Sequence, residues 1–443
     1  MADVIVIGGG FAGLAAATAL VEHGVSVHLV EARPQLGGRA TAFRDPITGE
    51  RIDNGHHVLA GCYTETLALL QRIGTLDRLR WPAMLRLPMI DSHGRRSVLA
   101  LPPLPAPLHL IGGVLAWDAL TLRERMSVLR LGRALRGQWR GTDNLTVHQW
   151  LRSHRQSERL CEMLWEPLAL AALNQRIDVA SAASFLTVLS RMFGTDPNAP
   201  TLLMSTVPLD DLAATPASSW LQSAGSAVTT NTRARVVIAD NRVSGVLLRD
   251  RLVPASVVIA AVPWFALAEL FEAVPAALEA TVKSAAKLGS SPIVTVDLWF
   301  GEGQRLDDEV VGLPSRTFQW VFDKSRLVGS SQSYLSMVAS GADGICSLSN
   351  HDIVATALDE LGGALPVFRQ ARLQHSLVLR ERRATFSLSP GGPPRPPTRT
   401  RVTGFILAGD WIDTGLPATI ESAVMSGHNA ATAALECLAA CSQ

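Results

Sequence analysis

The first 31 residues constrain this chain more than any other stretch. Asp3–Ile7 is a short, mostly β-branched run. It leads directly into Gly8-Gly9-Gly10-Phe11-Ala12-Gly13, and an Ala-rich segment, Leu14–His23, stops at Gly24 before a second apolar run, Val25–Val30, ends on Glu31. Strand, glycine turn, helix and strand within about 30 residues is the context that gives a GxGxxG pattern its meaning. Gly8 allows the tight turn, Gly10 lets backbone approach a pyrophosphate, and Gly13 lets helix and strand pack closely. Phe11 and Ala12 open the helix, whose free N–H groups and partial positive charge favour a phosphate. An acid at the end of the second strand, Glu31, suits the hydroxyls of an adenosine ribose and disfavours a 2′-phosphate. The pattern predicts a Rossmann-like dinucleotide-binding α/β unit.

Composition sets the class around that unit. At 443 residues the chain is long enough for two or three domains, each with its own core. It is 47% hydrophobic and only 18% charged, against about 25% charged for an average globular protein. Disorder, collagen and a disulfide miniprotein are excluded. Lys and Arg number 40 and Asp and Glu 39, a net charge of +1, so no basic excess exists to bind nucleic acid. The five cysteines are scattered, and no CxxC or HxxxH spacing suggests a metal. They fit reduced thiols in a cytoplasmic protein. The N-terminal apolar run lacks a basic start and is broken by glycines, unlike a signal peptide. Val98–Leu120 and Leu252–Phe271 are apolar, but prolines interrupt both, so neither predicts a spanning helix. An apolar chain of this kind suits a peripheral protein on the inner face of the cytoplasmic membrane, or one with a large apolar substrate tunnel.

Further along, helices are predicted over Thr64–Ile73, Leu120–Trp139, Val147–Leu173, Ala266–Lys287 and Ile420–Ala440. Strands are predicted over Val257–Ala261, Ile293–Phe300, Tyr334–Ser340 and Phe405–Ala408, with a hairpin turning at Asp240-Asn241. Dinucleotide-fold segments thus recur at the start, middle and end. The expected architecture is α/β (α+β overall): a discontinuous nucleotide-binding domain over 1–75, 225–270 and 400–443. A mixed α+β substrate domain, 76–224 and 271–399, is inserted and contains the apolar, membrane-proximal segment.

Two motifs extend the first. Glu31-Ala32-Arg33-Pro34-Gln35-Leu36-Gly37-Gly38-Arg39 adds a second glycine pair and an arginine able to face a pyrophosphate. Leu407-Ala408-Gly409-Asp410 is followed nine residues later by Thr419-Ile420-Glu421-Ser422-Ala423. Together they resemble the flavin-containing amine oxidase and phytoene desaturase superfamily. The resemblance implies FAD as cofactor, with Gly8, Gly10, Phe11, Ala12, Gly13, Glu31, Ala32, Arg33, Gly38 and Arg39 on its adenosine and pyrophosphate. It puts Asp410, beside Gly409, on a ribityl hydroxyl, Ala418, Thr419 and Ile420 at the flavin ring, Gly55 in a flavin-contacting turn, and the Val236 strand at the adenine.

Asp53-Asn54-Gly55-His56-His57-Val58-Leu59-Ala60-Gly61-Cys62-Tyr63, Trp165-Glu166-Pro167-Leu168 with Ala171-Ala172-Leu173-Asn174, and Gly409 through Glu421 narrow the likeness. They resemble the hydroxysqualene dehydroxylase family, also described as squalene-associated FAD-dependent desaturases. His56 departs from the Gln expected there. The resemblance implies reductive removal of the hydroxyl of hydroxysqualene to give squalene, in bacterial hopanoid biosynthesis. Reduced flavin would deliver hydride to an allylic carbon once water has left. Candidate proton donors are His56, His57 and Asp413, with Glu166 a fourth; the alternative for each is a structural hydrogen bond in a tight loop or at a helix end. No second GxGxxG unit follows Gly38, so an external electron donor is expected. The competing functions are a carotenoid or polyene desaturase, a flavin amine oxidase, and a non-catalytic FAD protein.

Overall fold

The computed structural model describes residues 3–134, 141–194, 196–301, 304–328 and 332–441. Among them, five parallel strands form one sheet, in the order Ala227–Thr229, Val27–Val30, Val4–Ile7, Val257–Ala260 and Phe405–Leu407. Parallel strands are covered on both faces, hence their nearly continuous apolar sequence. Alternation then divides the first strand between two cores. Val4 and Val6 face the helix Phe11–Glu22 and the closing helix Ile420–Cys441. Ile5 and Ile7 face an antiparallel meander of Ala234–Ala239, Arg242–Leu248 and Arg251–Pro254. The two helices lie in near backbone contact, since a Cβ on Gly427 would stand 2.2 Å from the Ala12 carbonyl oxygen. The meander turns at Asp240-Asn241 (φ 50° and 58°) and again at Arg249-Asp250 (φ 47° and 66°). Two successive positive φ values match the right-handed twist of a hairpin.

A second sheet runs Leu373–Phe386, Ser290–Phe300, Ser333–Ser340, Trp320–Asp323, Val310–Gly312, Arg86–Ile90 and Arg96–Ala100. Its pairings are antiparallel except that of Val310–Gly312 with Arg86–Ile90. Val294, Val296 and Leu298 on one face pack on Ile353, Ala357 and Leu361 of the helix Asn350–Ala364. Thr295, Asp297 and Trp299, at alternate positions, belong to the opposite face. A helical cluster, including Val147–Ser153, Glu166–Leu173 and Ala182–Met192, flanks the sheet around Trp117, Trp150 and Phe185.

Three sequence expectations change. The segment 266–287 is not one helix: Pro263 and Pro275 precede 3-10 turns at Trp264–Leu270 and Ala276–Leu278, and the α-helix is only Glu279–Ala286. The segment 147–173 breaks once, after Ser153; helix resumes at Glu158 and runs to Leu173 through a π-turn at Cys161–Trp165, with Pro167 just past that turn. The predicted helix over 120–139 runs Leu122–Ala134, and 135–139 lie outside the described residues. The 98–120 stretch becomes the end of a strand and a nine-residue helix, Leu108–Ala116. No helix among the described residues is long and apolar enough to cross a membrane.

Candidate functional site

The glycine turn is built as closely as backbone permits. Gly8 has φ +109°, and a Cβ there would stand 2.4 Å from the Ala261 carbonyl oxygen; one on Gly13 would stand 1.8 Å from that of Gly8. The second glycine pair folds onto the first. Gly37 N–H donates to the Gly9 carbonyl at 2.8 Å. Gly38, at φ +64°, would bring a Cβ within 3.2 Å of the Gly10 Cα. No side chain caps the helix that starts at Phe11, so its first N–H groups remain for an anion. Glu31, buried at the end of its strand, accepts from Gly9 N–H at 2.7 Å and Arg33 N–H at 2.8 Å, one on each carboxylate oxygen. Each oxygen keeps a second lone pair for a ribose hydroxyl. Asn231 N–H donates to the Arg33 carbonyl and Thr232 N–H to that of Glu31, which brings the chain leading to Val236 beside Ala32. Two glycine loops packed closely on each other, an uncapped helix and a buried acid fit the pyrophosphate and ribose of a dinucleotide.

Arg39 and Asp410 meet each other. Their ion pair is 2.7 Å long, and Arg39 also donates to the Ala384 carbonyl at 2.6 Å, tying the glycine loops to the long strand of the second sheet. Gly409 has φ +141° and donates its N–H to the Ser426 hydroxyl at 2.8 Å. Thr419 caps the closing helix by accepting from Ser422 N–H at 3.1 Å, with Ala418 and Ile420 half-buried around it. Two residues on, the Glu421 side chain points away from this region. Its buried carboxylate accepts from Glu65 N–H at 3.0 Å, Thr66 N–H at 2.9 Å and the Thr66 hydroxyl at 2.7 Å, capping the helix Thr64–Arg72.

A polar island forms where the loop 53–57 touches the second sheet. A Cβ on Gly55 would stand 3.5 Å from the Thr295 hydroxyl. His56 stacks on Phe322 with ring centroids 3.8 Å apart, and neither of its buried ring nitrogens has a hydrogen-bond partner among the described residues. His57 Nδ1 lies 3.2 Å from the Gly55 carbonyl. Asp53 pairs with Lys324 at 2.9 Å and accepts from Leu209 N–H at 2.9 Å. Beneath the loop, Asp297 is 2% exposed, with Tyr334 and Ser336 beside it.

Electrostatics reverses the roles expected from residue type. Burial, with Lys324 and His57 adding to it, drives the His56 imidazole well below its ordinary range. Burial also lowers His57, helped by Lys324 and Arg39 and opposed by Asp53 and the Gly55 carbonyl. Both rings are therefore neutral near pH 7. Burial lifts the Asp297 carboxyl to about 7, although Ser336, Lys324 and Tyr334 pull the other way.

The other two candidate acids lie elsewhere. Asp413 is 61% exposed, pairs with Arg395 at 3.3 Å and caps the Gly415 N–H; it is a surface loop group, not a member of the island. Glu166 accepts from Ile177 N–H at 3.0 Å within the helical cluster, and burial raises its carboxyl. Sequence reasoning missed Asp53, Asp297, Lys324 and Glu421. Two of them carried a signal: Asp297 is the one charge in the apolar run Ile293–Phe300, and Lys324 is one of only three lysines. Among the described residues, no group of three or more His, Cys, Asp or Glu could hold a metal ion.

The profile of the family described as flavin containing amine oxidoreductase matches residues 11–435. The chain belongs to that family. It is an FAD-dependent oxidoreductase. Over 97% of both chains, this flavoenzyme is 29% identical to the hydroxysqualene dehydroxylase of Rhodopseudomonas palustris. It is 27% identical to that of Sinorhizobium fredii over 98% of both. It is also 26% identical to the chloroplastic/chromoplastic 15-cis-phytoene desaturase of Glycine max, over 98% of this chain and 79% of the relative. Among solved structures, cyclohexylamine oxidase from Brevibacterium oxydans superposes with a TM-score of 0.73 at 18% identity, covering 99% of each chain. At that identity the likeness speaks for the fold.

Proposed function

We propose that this flavoenzyme reductively removes the hydroxyl of hydroxysqualene, a C30 isoprenoid alcohol, and releases squalene and water. The observation that carries this reading is the sheet face under the loop 53–57. Phe322, Val338 and Val310 form a buried apolar cluster there, and Thr295, Asp297, Ser336 and the neutral His56 are the polar groups beside it. Such a surface suits a hydrocarbon that carries one oxygen. The two full-length dehydroxylase relatives support the same reaction.

FAD, when bound in its reduced form, supplies the hydride. The residues divide the remaining work. The loops at Gly8, Gly10, Gly13 and Gly38 bring backbone N–H groups to the pyrophosphate, with the helix end at Phe11 and Ala12 behind them. Glu31 orients the ribose, and Ala32, Arg33 and Val236 shape the adenosine side. Asp410, held by its ion pair with Arg39, would hold the ribityl chain, and Gly409, Ala418, Thr419, Ile420 and Gly55 would border the ring. In this reading 1–75, 225–270 and 400–443 form the FAD-binding domain, and 76–224 and 271–399 the substrate domain. Electrons arrive from a separate donor, and the substrate is taken from the cytoplasmic face of a membrane.

An anaerobic single turnover tests the reaction. Reduced holoenzyme mixed with hydroxysqualene should return to the oxidised flavin spectrum and yield one squalene per flavin. The second reading is desaturation of a C30–C40 polyene, favoured by the 25–27% identity to phytoene and zeta-carotene desaturases. It predicts instead that flavin stays reduced with hydroxysqualene, and that oxidised enzyme introduces conjugated double bonds absorbing in the visible.

A further inference from the structure

We propose that Asp297 is the proton donor of this reaction: its carboxyl group, in the acid form, hydrogen-bonds the substrate hydroxyl and protonates it as the C–O bond breaks. The inference rests on the dehydroxylase reading and adds the residue that reading lacks.

Register places the group. Asp297 sits mid-strand, opposite Ser336 on one side and Leu377 on the other. The same row continues from Ser336 to Phe322 and Val310. His56 stacks on Phe322, and the neighbouring pair on the same face begins with Thr295, against Gly55. Asp297 therefore lies directly beneath the loop that joins the two layers, on the apolar face assigned to the substrate. Its Oδ1 is buried and has no hydrogen-bond partner among the described residues. A buried carboxyl oxygen without a partner is costly. A substrate hydroxyl supplies the missing partner, and the hydrocarbon around it keeps water out.

Chemistry favours this carboxyl over the imidazoles above it. The titratable groups facing it are Lys324, Tyr334 and Asp53, with His56 and His57 on the loop. Lys324 is already committed to Asp53. The histidines are neutral, and a neutral imidazole is a poor acid. Burial keeps Asp297 half-protonated near pH 7, where general acids work best. In the step, the C–O electron pair leaves with oxygen, the Asp297 proton completes a water molecule, and the carbon takes the hydride that the reduced cofactor supplies. Alcohol, one proton and one hydride become hydrocarbon and water. Asp297, left as carboxylate beside Lys324 and the Ser336 and Tyr334 hydroxyls, regains its proton after product leaves.

The test compares wild type, Asp297→Asn and Asp297→Glu as FAD holoenzymes, in anaerobic single turnovers with hydroxysqualene from pH 5.5 to 9. The wild-type rate should be level at low pH and fall tenfold per unit above about pH 7. Asp297→Asn should be slower by about 10²–10⁴-fold, the range general acids contribute, and flat with pH. Asp297→Glu should restore a pH-dependent rate with a displaced midpoint. Infrared spectra supply a readout independent of turnover: a carboxylic C=O band that titrates near neutral pH in wild type and is missing in Asp297→Asn. An Asn variant within threefold of wild type, with the same pH dependence, overturns the proposal. So does a flat wild-type profile, which decides the matter even if the Asn variant does not fold. Wild type that yields no squalene at any pH, with the infrared band in place, refutes the reaction itself and is thereby told apart from a misplaced acid.

Discussion

Replacing Asp297 by Asn should stabilise the protein, and more so the higher the pH, whether or not the residue is catalytic. Burial holds the native carboxyl near 7, against an ordinary value of 3.8. The native state thus binds this proton more tightly than the unfolded chain. Stability from the group is complete below about pH 3.8 and is lost as pH rises through 7. The full difference of about 3 units corresponds to about 4 kcal/mol, at about 1.4 kcal/mol per unit. Between pH 5.5 and 8 the native group passes from mostly protonated to mostly ionised, and about 2 kcal/mol is lost. Asn keeps the shape and does not titrate. The assay is the thermal midpoint of holoenzyme with saturating FAD at pH 5.5 and pH 8. For a chain of this size about 2 kcal/mol moves Tm by about 2 °C, and by more if the two layers unfold separately. The Asn variant should gain on wild type by that amount across the interval. Parallel Tm curves for the two proteins would show that Asp297 ionises without penalty, and the argument from burial would be wrong.

Three further outcomes follow from particular contacts. Glu421→Ala strips the buried Thr66 N–H and hydroxyl of their acceptor, and should cost about 3 kcal/mol in urea unfolding; a loss under 1 kcal/mol would show that water takes over the cap. Gly38→Ala adds a Cβ at φ +64°, only 3.2 Å from the Gly10 Cα. It should weaken FAD binding about tenfold with the circular dichroism spectrum unchanged, and wild-type affinity in a flavin titration would refute the two-loop cradle. Asp413→Asn, at an exposed site beside Arg395, should leave turnover within about twofold and its pH profile unmoved; a changed profile would return Asp413 to the list of acids.

Local chemistry made one half of this molecule legible. The apolar runs at 4–7, 25–30, 257–261 and 405–408 are each closed by glycine, proline or an acid, and each is a strand or contains one in the parallel sheet. Asp240-Asn241 marks its hairpin because these residues tolerate positive φ. The second sheet was harder. Its longest strand, Leu373–Phe386, contains Arg380-Glu381-Arg382-Arg383, which no apolar periodicity could flag. It is an edge strand, so those side chains reach out, Arg380 to Asn350 among them. Proline acted in both directions: Pro263 and Pro275 break a segment that looked helical, whereas Pro167 is carried inside a helix, just after a π-turn. The glycine loops are short-range features, but the Arg39–Asp410 pair joins residues from opposite ends of the chain, and no spacing rule states that they meet.

The acid–base groups show the limit more sharply. Residue type alone favours histidine as a donor near neutral pH, because its ordinary pKa lies there. That preference assumes solvent. Buried on its loop against Phe322 and near Lys324, the His56 imidazole loses its charge. The same dry environment lifts the Asp297 carboxyl from the acidic range into the one histidine has left. One physical cause, removal of water, moves a base and an acid in opposite directions and exchanges their suitability. The sequence carries both residues, separated by most of the substrate layer. Only cross-strand register places the carboxyl beneath the loop, so the proton donor becomes visible once the sheet is built and not before.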